Sequence, residues 1–149
     1  MKIVVINGPN LNLLGVREPA VYGTKTLADV ERELAELAAV LGVDIECAQQ
    51  NSEGALVDLV HSYRGKAAGA VINAGAYSHT SLALRDALVG CEIPYVEVHV
   101  TNVYAREPER RHSMLAQAAV GVVVGLGTVG YGLALRGLVG FLNARGARA

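Results

Sequence analysis

The sequence KIVVI at residues 2–6, followed by NGPNLNLLGVREPAVYG at residues 7–23, opens the chain and sets its pattern. The first part is a short apolar run that predicts a β-strand, and no helix or strand periodicity continues through the second. Glycines and prolines interrupt the second part repeatedly, which predicts a long loop. Loops of this length in compact chains are usually functional or disordered. Because Leu11, Leu13 and Leu14 offer apolar anchors, we interpret residues 7–23 as an ordered, functional loop.

Helical and strand-like segments alternate along the rest of the chain. Apolar residues recur at three- and four-residue spacing from Leu27 to Leu41, Thr26 and Asp29 predict a capping box, and Gly42 predicts the end of this helix. The remaining predicted elements are strands at residues 43–48, 68–73, 95–100 and 120–124, helices at 53–64, 80–89 and 128–144, and a charged loop with a short helix at 104–117.

This alternation predicts an α/β fold. Continuously apolar strands, such as VGVVV at residues 120–124, are typical of a parallel sheet that helices cover on both faces. Five strands favour a doubly wound, flavodoxin-like parallel sheet over a closed eight-stranded barrel. Ligands of such sheets bind beyond the carboxyl ends of the strands, so we expect the site there.

The composition limits the classes of partner. The 149 residues fit one domain, residues 1–149, and a net charge of −1 favours neither a nucleic acid nor a membrane partner. Although the mean hydropathy is +0.32, every apolar run is too short to span a bilayer, so neighbouring subunits could cover the excess apolar surface. Cys47 and Cys91 have no metal or redox spacing, and the first residues lack the features of a secretory signal. We therefore expect reduced thiols and a cytoplasmic location.

Three groups of polar residues follow the predicted strands. The first group is Asn10, Arg17 and Tyr22, in the loop after the first strand. Tyrosine ordinarily ionises near pH 10, but a neighbouring guanidinium favours the phenolate, so a tyrosine beside an arginine could act as a general base. A tyrosine that merely packs on the loop, with its hydroxyl hydrogen-bonded, fits the sequence as well.

The second group lies in NAGAYSHTS, residues 73–81, after the third strand. Ala74 and Gly75 are small enough for a ligand to approach the backbone, and Ser78, Thr80 and Ser81 could cap the following helix. His79 stands at the same helix entrance, where backbone amides attract anions. An anion site and a plain capped turn explain this segment equally well.

The third group belongs to the fourth strand. Glu97, His99 and Thr101 alternate along it and therefore point to one face. A carboxylate two residues from a histidine can fix its tautomer and favour its protonated form, as in a catalytic dyad. We favour a catalytic interpretation, because polar groups on an apolar strand are costly unless they are satisfied. Three arginines follow: Arg106, Arg110 and Arg111. They could bind hydroxyl or carboxylate groups, although such a cluster on its own also fits a solvated charged face.

One motif indicates a different function. GLGTVG at residues 125–130 matches GxGxxG between a strand and a helix, as in dinucleotide-binding folds. The chain ends about twenty residues later without a further strand for a ribose-binding acid. We therefore interpret these glycines as a tight strand-to-helix connection, and a nucleotide- or flavin-binding protein remains the alternative.

Taken together, these segments closely resemble the type II 3-dehydroquinate dehydratases. The matching motifs lie at residues 7–23, 49–61 (QQNSEGALVDLVH), 73–88 (NAGAYSHTSLALRDAL), 97–107 (EVHVTNVYARE), 111–113 (RHS) and 125–135 (GLGTVGYGLAL). The resemblance implies a flavodoxin-like fold and the dehydration of 3-dehydroquinate to 3-dehydroshikimate. It also implies a homododecamer built as a tetramer of trimers, and neither cofactor nor metal.

The resemblance further implies a role for each residue. Tyr22, assisted by Arg17, would be the base, and His99, oriented by Glu97, the acid. Asn10 would position a water that stabilises the enolate. The substrate carboxylate would lie at Asn73 and near Val100 and Thr101, with Gly75 lining the site. Ring hydroxyls would lie at His79 and Arg110, and Asp86 would reach a neighbouring subunit's site.

A few positions depart from the family's pattern. Thr101 stands where a serine is usual and Ser78 where a threonine is usual. Pro108 and Glu109 replace a glutamate and a phenylalanine, so either Arg110 or Arg111 could contact the substrate. None of the three lysines lies at the carboxyl end of a predicted strand; they are Lys2, Lys25 and Lys66. This disfavours the Schiff-base route of the type I enzymes. A biosynthetic role and a catabolic role in quinate breakdown both remain open.

Overall fold

The computed structural model describes residues 1–148, and a five-stranded parallel sheet forms its centre. The strands are β1 (Lys2–Asn7), β2 (Asp44–Gln49), β3 (Gly69–Asn73), β4 (Tyr95–His99) and β5 (Gly121–Val124). They run in the order β2-β1-β3-β4-β5, and every neighbouring pair is parallel. This order confirms the predicted flavodoxin-like α/β fold, and it places the topological switch point between β1 and β3.

Helices connect the strands and cover both faces of the sheet. The helix predicted from Leu27 to Leu41 is confirmed as α2 (Leu27–Leu41), and its predicted capping box is present: Asp29 N donates to Thr26 Oγ1 (3.2 Å) and Thr26 N donates to Asp29 Oδ2 (3.0 Å). Gly42 ends this helix with a φ of 68°. The helices are α1 (Pro19–Tyr22), α2 (Leu27–Leu41), α3 (Glu53–Ser62), α4 (Tyr77–Thr80), α5 (Leu82–Gly90) and α6 (Val129–Arg148).

The sheet has a separate apolar core on each face. Along β1, Ile3 and Val5 pack with α2 and α6, whereas Val4 and Ile6 pack with α3 and α5. All four side chains are fully buried, as the period of two in a strand requires when both faces are covered. Fully burying side chains of this size stabilises the fold by about 1.5–3 kcal/mol each. The sheet, packed on both faces, therefore holds the ends of the loops that leave its carboxyl edge in defined positions.

Two helix predictions were wrong in detail. The helix predicted at residues 80–89 begins at Leu82, because Ser81 caps it by accepting from Leu84 N (2.9 Å), and α4 forms a separate turn before it. The short helix predicted within residues 104–117 is replaced by 3₁₀ turns, one of which starts at Pro108. Proline suits the first position of a turn but disfavours a helical residue before it. The turns are Val103–Ala105, Pro108–Arg110 and Ala116–Ala118.

Two burial predictions were also wrong. β5 is an edge strand rather than a buried one, and Val122 is 40% exposed. In the loop after β1, Leu11 and Leu14 are buried anchors, whereas Leu13 is 43% exposed. Neither result follows from hydrophobicity alone, because an apolar residue can lie at an edge or on a loop surface.

The loop after β1 leaves the sheet in contact with β3. Gly8 N donates to the carbonyl of Asn73 (2.8 Å), and a Cβ at Gly8 would lie 2.4 Å from the carbonyl oxygen of Ala74. Only glycine fits such a close backbone approach. The loop then turns over the carboxyl end of the sheet. Within residues 1–148, no helix is both long and apolar enough to cross a membrane.

Candidate active site

A cavity of about 140 Å³ lies where the loops after β1, β3 and β4 meet. This is the edge at which doubly wound sheets bind ligands. All the predicted site residues except Glu97 and Asp86 line it. The lining predicted residues are Asn10, Arg17, Tyr22, Asn73, Gly75, His79, His99, Val100, Thr101 and Arg110.

Glu97 lies directly behind His99. The His99 Nε2 and Glu97 Oε1 atoms are 2.9 Å apart, and the side chains are 7% and 0% exposed. Burial raises the pKa of Glu97, but hydrogen bonds from His99 and Ser113 more than offset this and leave the pKa below its ordinary value. The carboxylate is therefore ionised at neutral pH and can only accept. Nε2 consequently carries the hydrogen of this pair, and Nδ1 is the nitrogen left for a ligand.

Ser113 holds the same carboxylate in place. Its hydroxyl donates to Glu97 Oε1 (2.5 Å) and accepts from the amides of Leu115 (3.1 Å) and Ala116 (3.2 Å). These two amides occupy the acceptor side of the hydroxyl, so its single hydrogen is directed at Glu97. Sequence reasoning assigned Ser113 no role, because no pattern in its own segment indicates a partner sixteen residues earlier in the chain.

The hydroxyl of Tyr22 accepts from a guanidinium. Arg106 Nη1 donates to Tyr22 Oη (3.0 Å) and to Thr101 Oγ1 (3.3 Å). The Arg17 guanidinium carbon lies 5.2 Å from the Tyr22 ring centroid, and that of Arg106 lies 5.5 Å from it. Two guanidiniums therefore adjoin this phenol, one of them donating to its oxygen and both with their central carbon within 5.5 Å of the ring centroid. The sequence suggested Arg17 for this place, whereas Arg106 was only one of three candidate arginines.

His79 stacks beside His99 and has a defined hydrogen-bond direction. The ring centroids are 5.8 Å apart, and His79 Nδ1 lies 2.8 Å from the carbonyl oxygen of His112. A carbonyl only accepts, so Nδ1 carries the hydrogen and Nε2 can accept from a ligand hydroxyl. Burial lowers the pKa of His79, and the nearby charges of His99 and Arg110 act in the same direction, although the bond to His112 opposes it. His79 is therefore a neutral ligand-binding group near pH 7.

The cavity is positively charged. Arg17, Arg106 and Arg110 line it, and no carboxylate does so within the described part of the chain. Arg111 does not line it, and its Nε donates instead to the carbonyl of Arg106 (2.8 Å). Between the two arginines that the sequence left open, the structure therefore brings only Arg110 to the cavity. On the solvent side of the cavity, Glu107 Oε1 forms an ion pair with Arg110 Nε at 2.5 Å.

Asp86 lies elsewhere. It is exposed on α5 and lines a separate cleft with His61, Arg64 and Cys91. This cleft shares no lining residue with the cavity that contains Tyr22 and His99. Asp86 therefore cannot contribute to the site of its own subunit without a rearrangement of α5.

The glycine-rich turn after β5 packs against the sheet. Gly125 N donates to the carbonyl of His99 (3.1 Å) and Gly127 N to that of Val100 (3.0 Å). A Cβ at Gly130 would lie 3.3 Å from Val123 Cγ1. This geometry accounts for the glycines by close strand-to-helix packing. The turn also lines a second, more open cavity of about 760 Å³ on the other side of Tyr22 and Arg106.

The arrangement provides a base and an acid for one small ligand. A phenol between guanidiniums can remove a proton once it is ionised, and a histidine held by a buried carboxylate can deliver one. Guanidiniums and neutral acceptors around them suit an anionic, hydroxylated molecule. Proton removal and proton delivery on one such ligand are the two halves of an elimination.

Known proteins resemble the chain over nearly its whole length. The sequence profile of the Dehydroquinase class II family matches residues 1–139. A 3-dehydroquinate dehydratase of Gemmatimonas aurantiaca is 61% identical over 145 residues, which cover 97% of this chain and 95% of that protein. The catabolic 3-dehydroquinase 2 of Aspergillus flavus is 57% identical over 134 residues, covering 90% and 89%.

A solved structure agrees with these sequence matches. The type II dehydroquinase of Butyrivibrio crossotus superimposes with a TM-score of 0.90 at 41% identity, covering 93% of this chain and 97% of that one. Its fold is therefore the fold described above. The matched sequence includes every element that contributes to the cavity. This chain belongs to the class II dehydroquinase family.

Proposed function

We propose that the protein is a 3-dehydroquinate dehydratase, a hydro-lyase that forms 3-dehydroshikimate and water without a cofactor. In the substrate, one ring carbon carries both a carboxylate and the departing hydroxyl, and the ketone lies two carbons away. The carbon between them loses a proton, and the hydroxyl leaves with another. The observation that carries the proposal is the single cavity shared by Tyr22, between two guanidiniums, and His99, backed by Glu97.

Proton removal is assigned to Tyr22. The phenolate takes the proton next to the ketone, and the electron pair moves to the ketone oxygen to give an enolate. Arg106 donates to the phenol oxygen at 3.0 Å, and the Arg17 guanidinium lies against the ring, so both can offset the negative charge of the base. Asn10, which also lines the cavity, is assigned to a water that hydrogen-bonds to the enolate oxygen.

Loss of the hydroxyl is assigned to His99. As the enolate collapses, the bond from carbon to the hydroxyl breaks, and protonated His99 delivers a proton from Nδ1, so that water leaves. Glu97 remains ionised and stabilises the imidazolium through Nε2 at 2.9 Å. The carboxylate of the substrate is assigned to Asn73 and the segment of Val100 and Thr101. Ring hydroxyls are assigned to Arg110 and to His79, and Gly75 lines the same wall.

The direct test uses the absorbance of the product. The product has a carbon–carbon double bond conjugated with its ketone, so adding 3-dehydroquinate to the purified protein should produce a steady rise in ultraviolet absorbance. Adding NAD or FMN should leave the rate unchanged and should not raise the melting temperature. If the substrate is unchanged while a nucleotide raises the melting temperature, the nucleotide-binding alternative is the correct one.

The same chemistry serves two metabolic directions. Relatives at similar identity are named 3-dehydroquinate dehydratase and catabolic 3-dehydroquinase, and we infer the biosynthetic role, in the shikimate pathway, for this chain. Deleting the gene should then abolish growth without aromatic amino acids. Growth lost only on quinate would assign the catabolic role instead. Two free cysteines, Cys47 and Cys91, fit the reducing cytoplasm in which we place the protein.

Replacing Arg106 by glutamine should move the pH–rate profile. The phenol would lose its charge-assisted donor, so the limb that rises with base ionisation should shift to higher pH, with a rate loss of about tenfold or more at neutral pH. Arg17→Ala should act in the same direction. Arg32→Gln is the matched control, because its guanidinium pairs with Asp29 (3.1 Å) on α2 and does not line the cavity. An unmoved profile in both Arg17 and Arg106 variants would refute their role.

Replacing Ser113 by alanine should alter both activity and stability with a defined sign. The hydroxyl helps to lower the pKa of Glu97, so its loss raises that pKa, and activity should be lost at a higher pH as the solution is acidified. A carboxyl whose pKa is lower in the folded chain than in the unfolded chain stabilises the fold at pH values above its unfolded pKa. This stabilisation is lost as the pH falls through the folded-state pKa. Ser113→Ala should therefore lower the free energy of unfolding more at pH 7 than at pH 3.

The control for Ser113 is Ser52→Ala. Ser52 Oγ also accepts from a backbone amide, that of Ala55 (3.3 Å), so its loss should cost about 1 kcal/mol of stability. It does not contact Glu97, and the pH–rate profile should not move. Identical pH–rate profiles for wild type and Ser113→Ala would show that the hydroxyl only accepts from the amides of Leu115 and Ala116 and has no effect on Glu97.

We infer that residues 1–149 form one catalytic domain and that twelve copies assemble as a tetramer of trimers. Exposed apolar side chains at the β5 edge and on α6 support association, because burying them would remove apolar surface from water. They are Val122, Leu126, Val129 and Leu133. Sedimentation should give a particle of about twelve times the mass of 15.6 kDa.

Asp86 should act on the site of a neighbouring subunit. Tyr22→Phe and Asp86→Ala subunits should each be impaired alone, but a co-expressed mixture should recover activity. Some sites then combine an intact Tyr22 with an intact neighbouring Asp86, about a quarter of them if subunits mix at random. A mixture no more active than the average of its two components would refute action across the interface.

A further inference from the structure

Tyr131 connects the glycine-rich turn to the candidate active site. It lies in the first turn of α6, directly after GLGTVG, and is 1% exposed. The close packing of Gly130 on Val123 and Val98 brings this turn against the sheet. The tyrosine side chain then runs through the core between α2, α6 and the sheet. The position of Tyr131 therefore depends on the GLGTVG motif, to which the proposed mechanism assigns no role.

The Tyr131 hydroxyl bridges the two strands at the switch point. It donates to Asn7 Oδ1 (2.6 Å), and Asn73 Nδ2 donates to it (2.9 Å). Asn7 and Asn73 are the last residues of β1 and β3 and are paired across the sheet. Burial raises the pKa of Tyr131, so the phenol stays protonated and remains a donor to Asn7.

The direction of this hydrogen-bond chain is fixed by one backbone group. Gly75 N donates to Asn73 Oδ1 (3.2 Å), and an N–H cannot accept, so this end of the amide must be the oxygen. Nδ2 must then face Tyr131, whose oxygen accepts from it. The hydroxyl hydrogen is left for Asn7 Oδ1. Both ends of the Asn73 amide are thus held. Nδ2 makes no second hydrogen bond within residues 1–148, so its other N–H can serve a ligand.

We propose that Tyr131 is a positioning residue for substrate binding, which fixes the Asn73 amide with one N–H available to the cavity. The inference rests on the proposed function, because the ligand would be the carboxylate of 3-dehydroquinate. Asn73 is 3% exposed and lines the cavity, whereas Tyr131 does not. Tyr131 therefore acts through Asn73, and an unheld amide would have to be ordered each time substrate binds.

The test is a double-mutant cycle on Tyr131→Phe and Asn73→Ala. Tyr131→Phe should lower kcat/KM about tenfold, mainly by raising KM, because the amide loses its fixed partner. In the Asn73→Ala background the same change should have no further effect on kcat/KM. Tyr63→Phe is the control, because it also removes a tyrosine hydroxyl, one that donates to Glu46 Oε1 (2.7 Å) in a partly buried hydrogen bond away from the cavity, and should leave kcat/KM unchanged.

Two results would overturn the proposal. One is a Tyr131→Phe enzyme within twofold of wild type, and the other is a double variant in which the two losses multiply. Both variants lose stability, so unfolding is measured separately and activities are compared only where each variant is fully folded. If Tyr131→Phe does not fold, Asn7→Ala should give a smaller loss of the same kind, and unchanged kinetics there would overturn the proposal.

A crystal structure of Tyr131→Phe separates this inference from the proposed function. The Asn73 amide should be rotated or split between conformers in the variant, and an amide placed as in wild type would overturn the inference. This result needs no turnover. Wild-type protein that leaves 3-dehydroquinate unchanged would refute the proposed function, and the amide orientation would still decide the part played by Tyr131.

Discussion

Tyr22→Phe should reduce kcat by about a thousandfold while the fold remains intact, the range expected when a general base is removed. Such a loss corresponds to about 4 kcal/mol of transition-state stabilisation. The ring is half-buried and packs on the core beside α2, and phenylalanine keeps these contacts. Only the oxygen that accepts from Arg106 and takes the substrate proton is lost. KM should therefore change much less than kcat.

Tyr104→Phe is the matched control for this experiment. Tyr104 lies on the segment after β4, is 59% exposed and does not line the cavity. Its variant should retain wild-type kinetics and stability. If Tyr22→Phe keeps more than about a tenth of wild-type kcat, a loss below the range for general-base catalysis, another group removes the proton.

His99→Ala should lower kcat by a similar factor, but it should separate the two halves of the reaction. Without the acid, the hydroxyl leaves poorly, whereas Tyr22 can still form the enolate and return a proton. In deuterated water the carbon next to the ketone should therefore take up deuterium faster than product appears. Tyr22→Phe should lose both the exchange and the elimination.

Nuclear magnetic resonance of the recovered substrate measures this exchange, and His112→Ala serves as control because its side chain is exposed. Glu97→Gln should be intermediate, since the amide can keep the ring in place but cannot stabilise the imidazolium by charge. A His99→Ala enzyme that eliminates water at the wild-type rate would remove His99 from the mechanism. Equal loss of exchange and elimination would instead argue for a concerted step.

Local sequence determined most of the fold. The capping box of Thr26 and Asp29, the period of α2 and the apolar strands depend on neighbours within a few residues, and all were predictable. The alternation of strands and helices then left few possible topologies for the sheet, because neighbouring parallel strands must be joined by a crossover connection, usually a helix. Sequence alone also placed Glu97 next to His99, because residues two apart on a strand share a face.

Only the tertiary structure brought distant residues together. Arg106 meets Tyr22, Ser113 meets Glu97, and Tyr131 meets Asn73 across separations of 84, 16 and 58 residues. No periodicity encodes such pairs, because they arise where separate strands, loops and helices meet near the carboxyl edge of the sheet. The prediction that β5 is buried was wrong for the same reason, because its valines are apolar but the strand lies at the edge of the sheet. The sequence by itself determined the elements and the chemical groups at their ends. The packing of the strands and helices decided which of those groups meet, because only a folded chain fixes distances between residues remote in sequence.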